Sequence, residues 1–164
     1  MDTTAAFVLL YCRATGCIAR VLPTKHLPRP KKRGAGMTKG LAEPWMPPGG
    51  KIKARETPRQ AAERELQEET GVVLSTMDAT LVSELPIPGI RAQLFVFSIP
   101  DEVALAPGKD ISQAAWAARD AVYDKAHFVM QRALYVGAGP LWAVGPGCDF
   151  TLNQPPAGKK QRQQ

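Results

Sequence analysis

A chain of 164 residues, 45% hydrophobic and 22% charged, has the composition of one globular domain large enough to bury a core. It has no apolar run approaching the roughly 18 residues of a membrane-spanning helix, so no membrane partner is expected. The formal net charge of +6 favours polyanionic partners such as nucleotides, RNA or inositol phosphates, without placing a site.

The start, MDTTAAFVLLYC, has an apolar core but no basic n-region and no small-residue cleavage site, so it reads as a first strand over Ala5–Arg13 and not as a signal peptide. A glycine turn leads to a second strand, Cys17–Leu22. Residues 26–44 are aperiodic and rich in proline, glycine and basic side chains, which predicts a long surface loop, either solvated or in contact with phosphate or nucleic acid. Trp45–Ile52 is expected to be a short strand feeding the Gly49-Gly50 turn. Thr57-Pro58 supplies an N-cap and a first-turn proline, Ala61, Ala62 and Leu66 supply a buried stripe, and Gly71 supplies the left-handed stop of a helix.

Strands are predicted at Thr80–Leu85, Arg91–Ile99 and Ile111–Ala117, with a loop over Pro100–Lys109. A second helix is predicted over Arg119–Val136, with Val122, Ala126, Val129, Met130 and Ala133 at helical spacing. Asp149–Leu152 is a last candidate strand. The expected organisation is a single α/β domain over residues 1–154, a mixed sheet flanked by helices, followed by a polar, disordered tail over 155–164. Cys12, Cys17 and Cys148 are an odd set without paired spacing, which argues against a disulfide framework and for a reducing, cytoplasmic setting.

The chemistry concentrates in GGKIKARETPRQAAERELQEETGV, residues 49–72. Glu65, Glu68 and Glu69 fall on one helical face one turn apart, where like charges repel. A divalent cation between them is the simplest reason to keep them together. His26 and His127 form no zinc-like set with the cysteines, so the expected donors are oxygens and the expected ion is Mg²⁺, with Mn²⁺ able to substitute.

Gly50, five residues, Glu56, seven residues, then Arg64-Glu65-Leu66-x-Glu68-Glu69-x-Gly71-Val72 resembles, position for position, the signature of the Nudix hydrolases. The resemblance implies a Nudix-type α/β/α sandwich and hydrolysis of a pyrophosphate linkage in a nucleoside diphosphate joined to another group. It also implies that Glu65, Glu68, Glu69 and the Gly49 carbonyl bind the metal, with Glu65 or Glu69 serving as the base. Arg64 would pair with a carboxylate and orient the loop and helix, Glu56 would fix the loop, and Lys51 would contact phosphate. MutT-type members add an acidic residue shortly before a tryptophan; Asp110, six positions before Trp116, fits as an outer metal ligand.

The run KKRGAGMTKGLAEPWMPPGGK resembles the MutT-like branch that hydrolyses oxidised purine nucleoside triphosphates, and DFTL at Asp149–Leu152 resembles that branch's closing strand. Lys32, Arg33, Trp45 and Met46 are thereby candidate substrate contacts. Met46-Pro47-Pro48 stands where that branch carries an asparagine that binds the base, and Tyr123-Asp124 only loosely replaces its later base-reading segment. Methionine can pack against a purine but cannot make paired hydrogen bonds, so broad base preference is expected. The basic stretches Lys31–Lys39 and Lys159–Arg162 leave RNA 5′-end or dinucleoside polyphosphate hydrolysis as the alternative. A non-catalytic module binding RNA or a protein assembly is disfavoured by the intact carboxylate set.

Overall fold

The computed structural model describes residues 2–24, 45–119 and 127–141. Strands β1 (Ala5–Cys12), β2 (Cys17–Pro23), β3 (Gly49–Lys51), β4 (Thr80–Ile87), β5 (Ala92–Ile99) and β6 (Ile111–Ala118) form one mixed sheet. Helices α1 (Pro58–Thr70) and α2 (Phe128–Leu141) cover it. The order is β4-β5-β1-β2-β6, with β3 paired to β1 off that path. β1 and β5 run parallel in register from Ala5↔Ala92 to Cys12↔Ile99, and every other pairing is antiparallel.

The alternation of β1 sets the layers, because successive strand side chains point to opposite faces. Ala6, Val8 and Leu10 pack with Ala61, Ala62 and Leu66 of α1, whereas Phe7, Leu9 and Tyr11 pack with Val129, Met130, Ala133 and Leu134 of α2. The strand is therefore apolar throughout, as a strand covered on both faces must be.

The same strand also creates an opening. β1 pairs β3 through Ala5, Ala6 and Phe7 but meets β2 at Tyr11, so the two neighbours part from one another. The segment before β3 enters that gap: Met46 exchanges backbone hydrogen bonds with Val21 (2.8 and 2.9 Å), and the Pro48 carbonyl accepts from the Val8 amide at 2.8 Å. Strand pairing was expected over Trp45–Ile52 but extends only over Gly49–Lys51, with an isolated bridge at Met46. Pro47 and Pro48 have no N–H to donate, which interrupts the ladder.

The late helix, expected over Arg119–Val136, is described over Phe128–Leu141. It starts beside His127, whose Nδ1 accepts from the Val129 amide at 3.1 Å and so acts as a cap. It continues past Val136 because Gly137 lets it lie against the sheet; a Cβ there would sit 2.6 Å from Leu9 Cδ2. Val122, Ala126, the 26–44 loop, the Asp149–Leu152 strand and the tail lie outside the described residues.

Candidate active site

Local sequence builds α1. The Thr57 hydroxyl accepts from the Gln60 amide (3.1 Å) and Gln60 Oε1 accepts from the Thr57 amide (2.9 Å), a complete capping box ahead of Pro58. Gly71, at φ 80°, closes the helix by donating its N–H to the Gln67 carbonyl at 2.9 Å. Burial of Ala61, Ala62, Leu66 and Thr70 turns the glutamates the other way.

Arg64 organises the acidic side. Its Nε and Nη2 grip the two carboxylate oxygens of Glu56 at 2.6 and 2.9 Å. Nη2 also donates to the Lys51 carbonyl at 3.1 Å, and Nη1 reaches Glu65 at 3.2 Å and Glu68 at 3.1 Å. The guanidinium and a hydrogen bond from the Lys53 amide hold the Glu56 carboxyl down to about 2.

Glu65 and Glu69 are pushed the other way. Burial raises the Glu65 carboxyl, with Arg64 opposing. Burial raises Glu69 to about 8; the Gly49 amide, donating to its Oε1 at 3.0 Å, opposes this, and Glu65 and Glu68 add to it. Gly50 leaves room for Glu65, since a Cβ there would lie 2.5 Å from Glu65 Oε2.

These groups border a cavity of about 750 Å³. Its apolar wall is Phe7, Val21, Pro23, Met46, Pro47 and Ile111; its polar part is Gly49, Gly50, Lys53, Glu65, Glu68, Glu69, Lys109 and Asp110. The structure thus brings together the three glutamates, Gly49, Met46 and Asp110, with Arg64 behind the carboxylates. Two expected contacts lie elsewhere. Lys51 borders a separate hollow with Asp2, Thr4 and Pro58, and Lys53, two residues on, lines the cavity instead. Trp45 is 5% exposed, with the Arg20 guanidinium 4.0 Å from its ring centroid, and does not line the cavity. Lys32 and Arg33 lie outside the described residues. Lys53 and Lys109 were missed because no local signal marks which lysine of a loop turns inward.

The donor set suits a hard divalent cation. Among the described residues, no three acidic, His or Cys side chains form a ready cage, since Arg64 holds Glu65 and Glu68. Mg²⁺ needs no such cage; it keeps several waters and takes few carboxylates. Mutually repelling, partly buried carboxylates such as Glu69 and Glu65 are the groups a cation relieves.

A mixed sheet between helices, with a row of carboxylates on one helix beside an amphipathic cavity, has the α/β/α architecture of the Nudix fold. A family model for the NUDIX domain matches residues 4–136, and the chain belongs to that family. It is accordingly a hydrolase of phosphorus-containing anhydrides, in a family that depends on divalent metal ions. None of the curated proteins matches the sequence. Among solved structures, a Caenorhabditis elegans Ap4A hydrolase binary complex is similar at 18% identity and TM-score 0.61, covering 85% of this chain and 99% of that one. The Escherichia coli dihydroneopterin triphosphate pyrophosphohydrolase is similar at 18% identity and TM-score 0.56, covering 81% and 94%. A Francisella tularensis bifunctional NMN adenylyltransferase/ADP ribose pyrophosphatase, complexed with AMP and Mn, is similar at 16% identity and TM-score 0.59, covering 85% and 42%. At these identities the likeness is one of fold.

Proposed function

We propose that the chain hydrolyses a phosphoanhydride bond of a nucleoside triphosphate, oxidised purine nucleotides included, with little discrimination between bases. The observation that carries this reading is the two-part cavity. Its acidic part suits a metal-neutralised phosphate chain, and its apolar wall of Phe7, Val21, Pro23, Met46, Pro47 and Ile111 suits a flat base. None of those six wall side chains offers a hydrogen-bond donor or a strong acceptor for the edge of a base, and without such groups rejection of the wrong base is weak.

In this reading Glu65, Glu68, Glu69 and the Gly49 carbonyl would hold the cation, with Asp110, which lines the same cavity, as a further ligand. When bound, Mg²⁺ or Mn²⁺ supplies Lewis-acid neutralisation of the phosphate charge. Glu65 or Glu69 takes the proton of the attacking water as its oxygen bonds to phosphorus, the anhydride P–O bond breaks, and the leaving phosphate carries away the electron pair. Arg64 keeps Glu65 and Glu68 aimed and touches no substrate, since Glu56 occupies its fork.

Structural relatives named for Ap4A, dihydroneopterin triphosphate and ADP ribose act on different molecules, which supports the reaction class and leaves the substrate to experiment. The test is a panel of nucleoside triphosphates, dinucleoside polyphosphates and 5′-triphosphorylated or capped RNA with Mg²⁺ or Mn²⁺, with products identified. Nucleoside monophosphate plus pyrophosphate, or diphosphate plus phosphate, identifies the bond attacked. Turnover of none of these would refute the reading. The net charge of +6 supports RNA 5′-end hydrolysis as a second reading, marked by affinity that falls steeply with salt.

A further inference from the structure

The connection between β5 and β6 is fastened along its length. Trp116 Nε1 donates to the Val103 carbonyl at 2.9 Å, and the Ala106 amide donates to the Thr70 carbonyl at 2.9 Å. The Gly108 amide then donates to the Glu69 carbonyl at 3.2 Å, on the helix that carries the glutamates. A side chain at Gly108 would overlap the Glu68 carbonyl oxygen, a backbone atom held within the helix. Only glycine lets the connection lie this close.

Gly108 opens a tight turn. The Ile111 amide donates back to the Gly108 carbonyl at 3.1 Å, leaving Lys109 and Asp110 as the central pair, Asp110 in the left-handed region at φ 64°. The Asp110 carbonyl accepts from the Thr24 amide at 3.0 Å. Pinned to α1 on one side and to the end of β2 on the other, the turn presents both side chains to the cavity. Lys53 enters from a different loop, fixed by its own amide donating to Glu56 Oε1 at 2.9 Å, and its charge acts on Glu65. Glu65 and Glu69 are about 6 Å apart along the helix axis, four residues at 1.5 Å each. Lys53 is thus tied to the Glu65 end of the row by its charge, and Lys109 to the Glu69 end by the backbone bond of its neighbour Gly108.

We propose that Lys109 and Lys53 grip the substrate's phosphate chain from the two ends of the carboxylate row, and that Gly108 is the positioning residue that sets Lys109 there. A lysine binds phosphate as a flexible point charge, which suits a chain of variable length. This rests on the phosphoanhydride-hydrolase reading and extends it to two lysine contacts on the substrate's pyrophosphate group.

The test is calorimetric binding of magnesium pyrophosphate to the full chain and to Lys109→Ala, Lys109→Arg, Lys53→Ala and Gly108→Ala, alongside kcat and KM on the preferred nucleotide. Lys109→Ala and Lys53→Ala are expected to bind pyrophosphate about tenfold more weakly and to raise KM more than they lower kcat, with Lys109→Arg restoring most of the loss. Gly108→Ala should match Lys109→Ala, and combining the two should cost no more than either alone. Should Gly108→Ala fail to fold, the Lys109 pair decides the matter. Pyrophosphate affinity within about twofold of the parent in Lys109→Ala, or no pyrophosphate binding by the parent, overturns the inference. Turnover intact with that result sinks the lysine assignment alone, whereas absent turnover with lysine-dependent binding sinks only the hydrolase reading.

Discussion

Arg64 and Glu56 form a two-pronged ion pair, 2.6 and 2.9 Å, and the same guanidinium spans Glu65 and Glu68 with its remaining nitrogen. One cation therefore fixes the loop after β3 and screens two mutually repelling carboxylates. Arg64→Lys keeps the charge but loses the fork, so it is not a conservative change here. It is expected to lower kcat by about tenfold to a hundredfold through misplaced carboxylates, with a much smaller change in KM. Steady-state kinetics at saturating metal check this; parent-like kcat would mean the fork is dispensable.

Glu56 also sets a pH limit. Its carboxyl is held down to about 2 in the fold against an ordinary value of 4.5. A depressed carboxyl contributes stability that is fully present above the unfolded value and lost as pH falls through the folded one. Thermal melts of the parent should therefore drop between pH 4.5 and pH 2, and Glu56→Gln should melt lower near neutrality with a shallower acid slope. Parallel slopes would remove Glu56 from the acid limb.

α1 was legible in the sequence because its signals are local: Thr57, Pro58 and Gly71 act within a turn of themselves. The row of glutamates followed from helical geometry alone. The inward lysines were not legible, since β3 ends at Lys51 and tertiary contacts from Gly108 and Thr24 aim Lys109. Trp45 illustrates the same limit. The resemblance of the run around it to the MutT-like branch suggested a substrate contact, but its ring is buried against Arg20, a partner supplied by β2.

Glu69 gives the opposite pH behaviour. With its carboxyl raised from 4.5 to about 8, the metal-free fold favours the protonated form. That contribution is complete below the unfolded value and is lost as pH rises through about 8. Glu69→Gln, neutral at all pH and still able to accept from the Gly49 amide, should melt a few degrees above the metal-free parent at pH 8. Its turnover should fall by about a hundredfold or more. For the parent, Mg²⁺ binding near neutrality should release a proton, read as a heat that varies with the ionisation enthalpy of the buffer. Buffer-independent heats would contradict a protonated Glu69 in the metal-free state.

Asp110 and Glu68 should differ in degree. Glu68→Gln removes a carboxylate from the row on α1 and is expected to cost turnover about a hundredfold, as Glu69→Gln does. Asp110→Asn acts from the turn after Gly108, outside the row, and should cost about tenfold, with a higher Mg²⁺ requirement. A metal titration of activity separates them. An unchanged requirement in Asp110→Asn would return Asp110 to a purely conformational part in its turn.

Gly49 and Gly50 are adjacent and both line the cavity, yet substitution should affect them differently. A Cβ on Gly49 would run into the Ala6 carbonyl and the Phe7 backbone, which cannot move without disturbing β1. A Cβ on Gly50 would meet Glu65 Oε2 at 2.5 Å and the carboxyl carbon at 2.9 Å, the far end of a side chain that can swing away. Gly49→Ala is therefore expected to lower the melting temperature markedly, because the strain falls on a buried central strand. Gly50→Ala should fold almost as stably as the parent but lose about tenfold to a hundredfold in kcat, because Glu65 is pushed from its place beside Arg64. Melting curves and kcat measured on the same preparations separate the two. Parent-like turnover in a folded Gly50→Ala would show that the Glu65 position seen here is not the one used in catalysis.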